Sequence, residues 1–348
     1  ARSSCLQENS IGYACMMERH FSLKNYNSFG IEVETEFFAA ISNEAELIEV
    51  LKSNGNKPFR VLGGGSNVLL TEDYKGLTLV MQNKGISILE ETASHVLIEV
   101  QAGENWHELV LWALENDFGG IENLALIPGS VGAAPIQNIG AYGVELSSVF
   151  HRCKALDLES LSFNEFDKAA CEFGYRSSVF KTHLKGKAII TRVQFKLSKK
   201  NHQTHTQYGT LQASLQGKEM SIQNIAASVI AIRKSKLPDP AQIGNSGSFF
   251  KNPVIPVNQF KQLQENYPEI PHYPDTAEKI KIPAGWLIEK LGYKGKRFGD
   301  AGVHEKQALV LVNYGNAKGV ELLNLAQQIQ EQVLQNFGVQ LEVEVNIF

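Results

Sequence analysis

The sequence predicts an α+β fold of packed layers, divided into more than one domain. Three observations carry that expectation. Strand-like apolar runs and amphipathic helical stretches mix along the whole chain, without the regular alternation that builds one doubly wound sheet. A Pro-rich step, Lys236-Leu237-Pro238-Asp239-Pro240, interrupts the pattern and marks the best boundary. The chain has 348 residues, 43% hydrophobic and 20% charged, enough for two or three cores at roughly 100–200 residues per domain.

The elements run in order along the chain. Asn43 to Leu51 reads as a helix: Asn43 and Glu46 have capping-box spacing, Leu47, Ile48 and Leu51 share a face, and Gly55 can end it. Arg60-Val61-Leu62 and Val68-Leu69-Leu70 are short strands around a glycine run, and Leu77–Gln82 and Val96–Val100 are further strands. Trp106–Glu115 is an amphipathic helix stopped by Gly119-Gly120. Residues 127–143 lack periodicity and are rich in small side chains. Ala155–Leu158 and Ala188–Leu197 read as strands, and Ile222–Arg233 as a helix. Beyond the Pro-rich step, Pro256–Asn266, Ala284–Leu291 and Ala317–Phe337 are helical, the last closed by Gly338. Ala308–Asn313 is a buried-type strand, and Leu341–Phe348 a last strand.

Composition narrows the functional classes. Lys and Arg total 33 against 37 Asp and Glu, a net charge of −4, which gives no footprint for nucleic acid or an anionic membrane. No apolar run approaches the ~18 residues of a membrane span. Cys5, Cys15, Cys153 and Cys171 form no Cys-x-x-Cys pair and have no His at zinc-ligand spacing. They read as free or buried thiols of a reducing cytoplasm, and no metal site is expected. Residues 1–20 lack the apolar stretch of a secretory signal and are expected to be a disordered extension.

Five segments can carry chemistry. Gly63-Gly64-Gly65-Ser66-Asn67 leaves backbone N–H groups bare to converge on an anion such as a diphosphate. A tight turn between two strands explains it equally well, and it is neither a G-x-G-x-x-G fingerprint nor a P-loop. Ile127-Pro128-Gly129-Ser130-Val131-Gly132, continuing through Gln137-Asn138-Ile139-Gly140-Ala141-Tyr142-Gly143, is long and almost uncharged. Such a loop can lie flat against a large ligand, or be a buried structural loop. Two glycine-rich segments in one chain favour a long dinucleotide such as FAD. Arg176, in Gly174-Tyr175-Arg176-Ser177-Ser178, suits a carboxylate or phosphate that its planar fork can hold, although a surface ion pair is the commoner use. Gly244-Asn245-Ser246-Gly247-Ser248-Phe249-Phe250 makes a polar turn on an apolar wall. In a strand Leu341–Val345, Glu342 and Glu344 would share a face, by spacing alone most simply a solvated one.

Together and in this order, GGGSN, IPGSVGAAPIQNIGAYG, YRSSVFK, KLPDP, GSFFKNP and LEVEV resemble the UDP-N-acetylenolpyruvoylglucosamine reductases, from Asn27 to Glu344. The resemblance implies a two-lobed FAD-binding region of the vanillyl-alcohol-oxidase (PCMH) type. It would span residues 31–202, with lobes of about 21–87 and 88–236. A C-terminal α+β substrate-binding domain would take residues 237–348. It implies non-covalent FAD, since Gly65-Ser66-Asn67 stand where related flavoproteins carry an attachment His. The glycine segment and the residue 127–143 loop would hold it, Asn138 included. NADPH would be the co-substrate, and UDP-N-acetylglucosamine enolpyruvate would be reduced to UDP-N-acetylmuramate for peptidoglycan. By motif, Arg176 would stabilise the transition state, Ser248 donate the proton, and Glu344 be the catalytic carboxyl. Tyr208-Gly209 stands where one type of the family has a loop closing on the nucleotide diphosphate. Arg233, Lys236, Asn252 and Gln307 match positions near the nucleotide. A cytoplasmic monomer without nucleic-acid or membrane partners is expected. An oxidase of the same fold, or a binding module without turnover, are the competing classes. The missing attachment His and the Ser248-Phe249-Phe250-Lys251-Asn252-Pro253 segment weigh against the oxidase, and the intact Arg176, Ser248 and Glu344 against the binding module.

Overall fold

The structure is a computed structural model that describes residues 17–348. Cys5, Cys15 and most of the expected N-terminal extension lie outside the described residues. The expected extension to residue 20 runs into a strand, Glu18–Ser22, at the edge of a sheet. The chain divides into two compact units. Among the described residues, the first contains those up to Phe21, Glu34–Gly64 and Tyr74–Arg233; the second contains Ser22–Val33, Gly65–Asp73 and Lys234–Phe348. The Pro-rich step therefore lies just beyond the last change of unit. Two early segments, expected in the first lobe, instead pack with the later part of the chain.

The first unit has two larger sheets. In one, the strands Glu34–Ile41, Tyr74–Met81 and Phe59–Leu62 are parallel, and the Glu44–Asn54 helix follows the first of them. That helix begins as its sequence predicts: Asn43 accepts from the Glu46 N–H at 2.9 Å, Glu46 accepts from the Ser42 N–H at 2.6 Å, and Gly55 closes it. The other sheet is antiparallel, in the order Phe163–Asp167, Phe150–Asp157, Ala188–Ser198, His95–Gln101, Ile86–Glu91. The Trp106–Glu115 helix buries Trp106, Leu109, Val110 and Ala113 in its core, where Trp106 stacks edge-on against Phe195. Glu44 ties the two sheets together. Its carboxylate accepts from Lys154 at 2.7 Å, Thr191 at 2.7 Å and the Arg192 Nε at 3.2 Å. Cys153 and Cys171 are buried free thiols in this core, and their mutual contact and burial push the Cys153 thiol far up.

The second unit centres on a sheet ordered Gly244–Ser248, Val310–Asn313, Ala301–Val303, Arg297–Phe298, with a three-stranded sheet beside the Val257–Asn266 helix. The Gly319–Phe337 helix ends in the left-handed Gly338, at φ 65°. The early segments are built in tightly: a Cβ on Gly244 would sit 2.1 Å from the Phe29 carbonyl oxygen, and one on Gly319 1.8 Å from that of Leu70. The expected strand Leu341–Phe348 is shorter than its pattern suggests. Only Asn346–Ile347 is extended in a ladder, parallel to Val68–Leu69, while Val343 makes an isolated bridge to Phe250. No described helix is long and apolar enough to cross a membrane.

Candidate active site

In the first unit, the two glycine-rich segments meet. A Cβ on Gly64 would lie 2.7 Å from the Gly129 Cα, and one on Gly63 3.0 Å from the Ser130 Oγ, so only glycine permits this approach. The backbone N–H groups of Gly64, Gly129 and Ser130 have no hydrogen-bond acceptor among the described residues. Three adjoining donors without a protein partner form the kind of concavity that takes a phosphate oxygen. The residues present thus fit the diphosphate of a dinucleotide. Gly132 has another use: its missing side chain lets it lie against Ala102.

The rest of the loop is shaped by two small hairpins. Gly140–Ala141 pairs with Val144–Glu145, and the two turn residues, Tyr142 and Gly143, have φ of 49° and 81°. That is the backbone of a tight hairpin turn with both central residues left-handed. Gly174 and Ser177 exchange backbone hydrogen bonds at 3.0 and 3.1 Å, leaving Tyr175 and Arg176 at the tip, with Arg176 at φ 52°. A non-glycine residue in this region is strained, and strain of this kind gathers at functional sites. The hairpins are joined. Arg176 Nη2 donates to the Gly140 carbonyl at 2.5 Å, and Ser178 Oγ to that of Ile136 at 2.7 Å. Asn138 is fully buried. Its Nδ2 donates to the Gly174 carbonyl and to Glu145, and its Oδ1 accepts from the Ser147 N–H. The expected cofactor contact of Asn138 therefore finds its side chain already occupied by the protein, holding the two hairpins together.

Around Arg176 the unit gathers Tyr142, Tyr208 and Arg233. The rings of Tyr142 and Tyr208 meet edge-on at 5.5 Å. Arg233 donates from Nε to the Leu126 carbonyl at 3.2 Å. Burial, against the pull of Tyr142 and helped by the charge of Arg176, lowers its affinity for a proton. Burial also raises the Tyr142 phenol, against the opposing charge of Arg233. Two guanidinium groups within electrostatic reach of each other, in a part-buried setting, suit an anion that neutralises both. Asn123, which no sequence pattern singled out, is 1% exposed and donates to the carbonyls of Tyr142 and His205.

The second unit holds the other expected residues. Ser248 follows Gly247 at φ 68°, and the strand's register against Val310–Asn313 shifts between Asn245 and Ser248. This bulge leaves Ser248 exposed while Phe249 and Phe250 are buried. The Glu344 N–H donates to the Phe249 carbonyl at 2.9 Å, and Asn67 Nδ2 to the Glu344 carbonyl at 3.3 Å. Glu342 instead pairs with Lys251 at 2.9 Å. The two glutamates are thus separated in use, with Glu342 exposed and Glu344 part-buried. Gly65 is fixed by the Tyr26 carbonyl, 1.9 Å from where its Cβ would be. Asn252 Oδ1 accepts from the Ala284 N–H at 2.9 Å, and Gln307 Oε1 lies 3.1 Å from a Cβ on Gly285, so these two expected residues meet at one helix start. Lys236 is exposed. Among the described residues, no group of three or more His, Cys, Asp or Glu is arranged to hold a metal ion.

Residues 239–348 match the family model described as UDP-N-acetylenolpyruvoylglucosamine reductase, C-terminal domain, and residues 35–159 match an FAD binding domain. The chain is 49% identical over 334 residues to the UDP-N-acetylenolpyruvoylglucosamine reductase of Flavobacterium johnsoniae, covering 95% of this chain and 99% of that protein. The chain belongs to this reductase family. The Pseudomonas aeruginosa member is 45% identical over 337 residues, with coverage of 95% and 99%. The crystal structure of the Thermus caldophilus reductase superposes with a TM-score of 0.67 at 24% identity, covering 95% of this chain and 98% of that one, a likeness of fold. As a UDP-N-acetylenolpyruvoylglucosamine reductase family member with an FAD binding domain, the chain is an FAD-dependent oxidoreductase. The fold class read from the sequence, a PCMH-type flavin region with a C-terminal α+β domain, agrees with both family models and with the Thermus fold.

Proposed function

We propose that this chain reduces the enolpyruvyl ether of UDP-N-acetylglucosamine enolpyruvate to the lactyl ether of UDP-N-acetylmuramate, in the cytoplasm, with NADPH as reductant. The observation that carries the reading is the Arg176–Arg233 pair beside Tyr142 and Tyr208, in a family whose name states this reduction. The substrate is anionic at two places, its carboxylate and its diphosphate, and two guanidinium groups complement that charge.

Bound non-covalently, FAD would supply the hydride that reaches the terminal methylene carbon of the enolpyruvyl group. The negative charge left on the neighbouring carbon spreads into the carboxylate, and Arg176 stabilises it. Ser248 delivers the proton to that carbon and recovers one from water. Glu344 carries its own proton while the enolate exists, because an ionised carboxylate would repel it. Tyr208 contacts the nucleotide end, and Lys236, Asn252 and Gln307 match family positions near the nucleotide. The N–H groups of Gly64, Gly129 and Ser130 hold a cofactor phosphate.

The test is flavin absorbance of the purified protein under anaerobic conditions. NADPH should bleach the yellow colour and the enolpyruvyl sugar nucleotide should restore it. A protein that NADPH bleaches but this substrate leaves colourless would overturn the assignment of substrate.

A further inference from the structure

The segments that carry Tyr142 and Tyr208 come from distant parts of the chain, and one buried side chain grips both. Asn123 Nδ2 donates to the Tyr142 carbonyl at 3.0 Å and to the His205 carbonyl at 2.7 Å. Its Oδ1 is buried and accepts from no group among the described residues. Turning the amide over would aim that oxygen at two carbonyl oxygens, so the demand for two donors fixes its orientation. A buried acceptor left unpaired is costly. It persists here because both N–H groups are in use.

The platform under Asn123 is itself tied down. Glu122 is buried and accepts from the Gly120 N–H at 2.6 Å, and Trp106 Nε1 donates to the Leu124 carbonyl at 3.0 Å. The segment it holds is of the opposite kind. His205 and Tyr208 are exposed, and Tyr208 is 49% accessible at the start of the Gly209–Leu215 helix. A rigid buried turn thus grips an exposed loop three residues before the tyrosine whose ring meets Tyr142.

We propose that Asn123 is a positioning residue for substrate: by clamping the His205 and Tyr142 carbonyls it preorganises the Tyr208 loop beside Arg233 and so sets the affinity for the anionic sugar nucleotide. This rests on the reading of Tyr208 as a substrate contact. Preorganisation lowers the ordering cost of binding. Losing the clamp therefore raises the dissociation constant and leaves electron entry from NADPH largely alone.

Asn123→Asp keeps the shape and removes both donors while ionised; once protonated, it regains one. The test titrates oxidised holoenzyme with UDP-N-acetylmuramate, read by flavin absorbance, from about pH 5.5 to 8.5, spanning the raised range expected for a buried carboxyl. Wild type, Asn123→Asp, Asn123→Ala and Tyr208→Phe are compared. At the high end Asn123→Asp should bind roughly tenfold or more weakly, as two lost hydrogen bonds imply. It should recover as pH falls, whereas Asn123→Ala stays weak throughout. Flavin reduction by NADPH should change much less than binding in both.

Wild-type affinity in Asn123→Asp at high pH, with Tyr208→Phe weakened, overturns the role of Asn123 and leaves Tyr208 standing. Normal affinity in Tyr208→Phe removes the reading beneath it. Equal damage to binding and flavin reduction assigns Asn123 a general structural role and overturns the proposal. Should neither Asp nor Ala fold with flavin bound, Asn123→Ser, which retains one donor, should fall between Ala and wild type; wild-type affinity there overturns it as well.

Discussion

At the scale of single residues, the backbone decides which side chains are offered for chemistry. Gly247 at φ 68° and the adjoining register shift turn Ser248 outward beside the buried Phe249 and Phe250. If Ser248 is the proton donor, Ser248→Ala should separate the half-reactions. NADPH should still bleach the flavin at a near-normal rate, and reoxidation by the enolpyruvyl substrate should slow by ~10²–10⁴-fold. Anaerobic stopped-flow absorbance of each half-reaction checks this; near-normal reoxidation would remove Ser248 from the mechanism. Arg176 and Ser248 could be named as candidates because each stands in a short motif that the resemblance to the reductases picks out. Asn123 could not, because its partners are main-chain carbonyls 19 and 82 positions away, which leave no mark on sequence. Asn138 could be named as a cofactor candidate, but its task could not be read, since a buried amide can hold a loop or a ligand equally well.

At the scale of elements, local signals were reliable where the chain satisfies its own hydrogen bonds. Asn43 and Gly55 bracket the Glu44–Asn54 helix, and Trp106–Glu115 has the predicted ends. Strands such as Glu34–Ile41 and Tyr273–Thr276 were not anticipated; the first, parallel to Tyr74–Met81, buries Phe38 and Ala39 in succession, and the second is exposed at every position, so neither alternates cleanly. Glu44 opens its helix and binds the neighbouring sheet. Burial pushes its carboxyl up, but Lys154, Thr191 and Arg192 outweigh that and hold it below the ordinary 4.5. A depressed carboxylate contributes stability above its unfolded pKa and loses it as pH falls through the folded one. Glu44→Gln should therefore lower the melting temperature at neutral pH. Its gap from wild type should close as pH drops below 4.5. A gap that is constant across thermal melts over that range would dissociate Glu44 from the acid sensitivity.

At the scale of the whole molecule, the Pro-rich step was legible in the sequence, but the full membership of the unit beyond it was not. Residues 22–33 and 65–73 belong with Lys234–Phe348, through bonds such as Asn313 Nδ2 to the Phe29 carbonyl and Ser246 Oγ to the Val68 carbonyl, spanning 284 and 178 positions. Contacts that distant have no periodicity to betray them. Expression of residues 234–348 alone should consequently give a chain without a cooperative unfolding transition, because Gly244 and Gly319 are shaped to receive Phe29 and Leu70. Supplying residues 17–73 in the same chain, through a flexible linker, should improve it. A sharp calorimetric transition in the short fragment would show that the early segments are dispensable.

That threading also sets an order of events during synthesis. Residues 22–33 are made early, yet their neighbours at Gly244 and Asn313 come more than two hundred positions later. At ~5–20 residues per second, they wait on the order of ten to sixty seconds without a partner. Phe29 and Ile31, buried in the finished protein, pass that interval while the residues of the first unit are still being made. A cell making this enzyme therefore has a nascent-chain problem that its final stability does not reveal. Slowing translation after residue 233 lengthens the exposure, and chaperone capture of arrested chains should peak there and fall once the last sheet strand has left the ribosome.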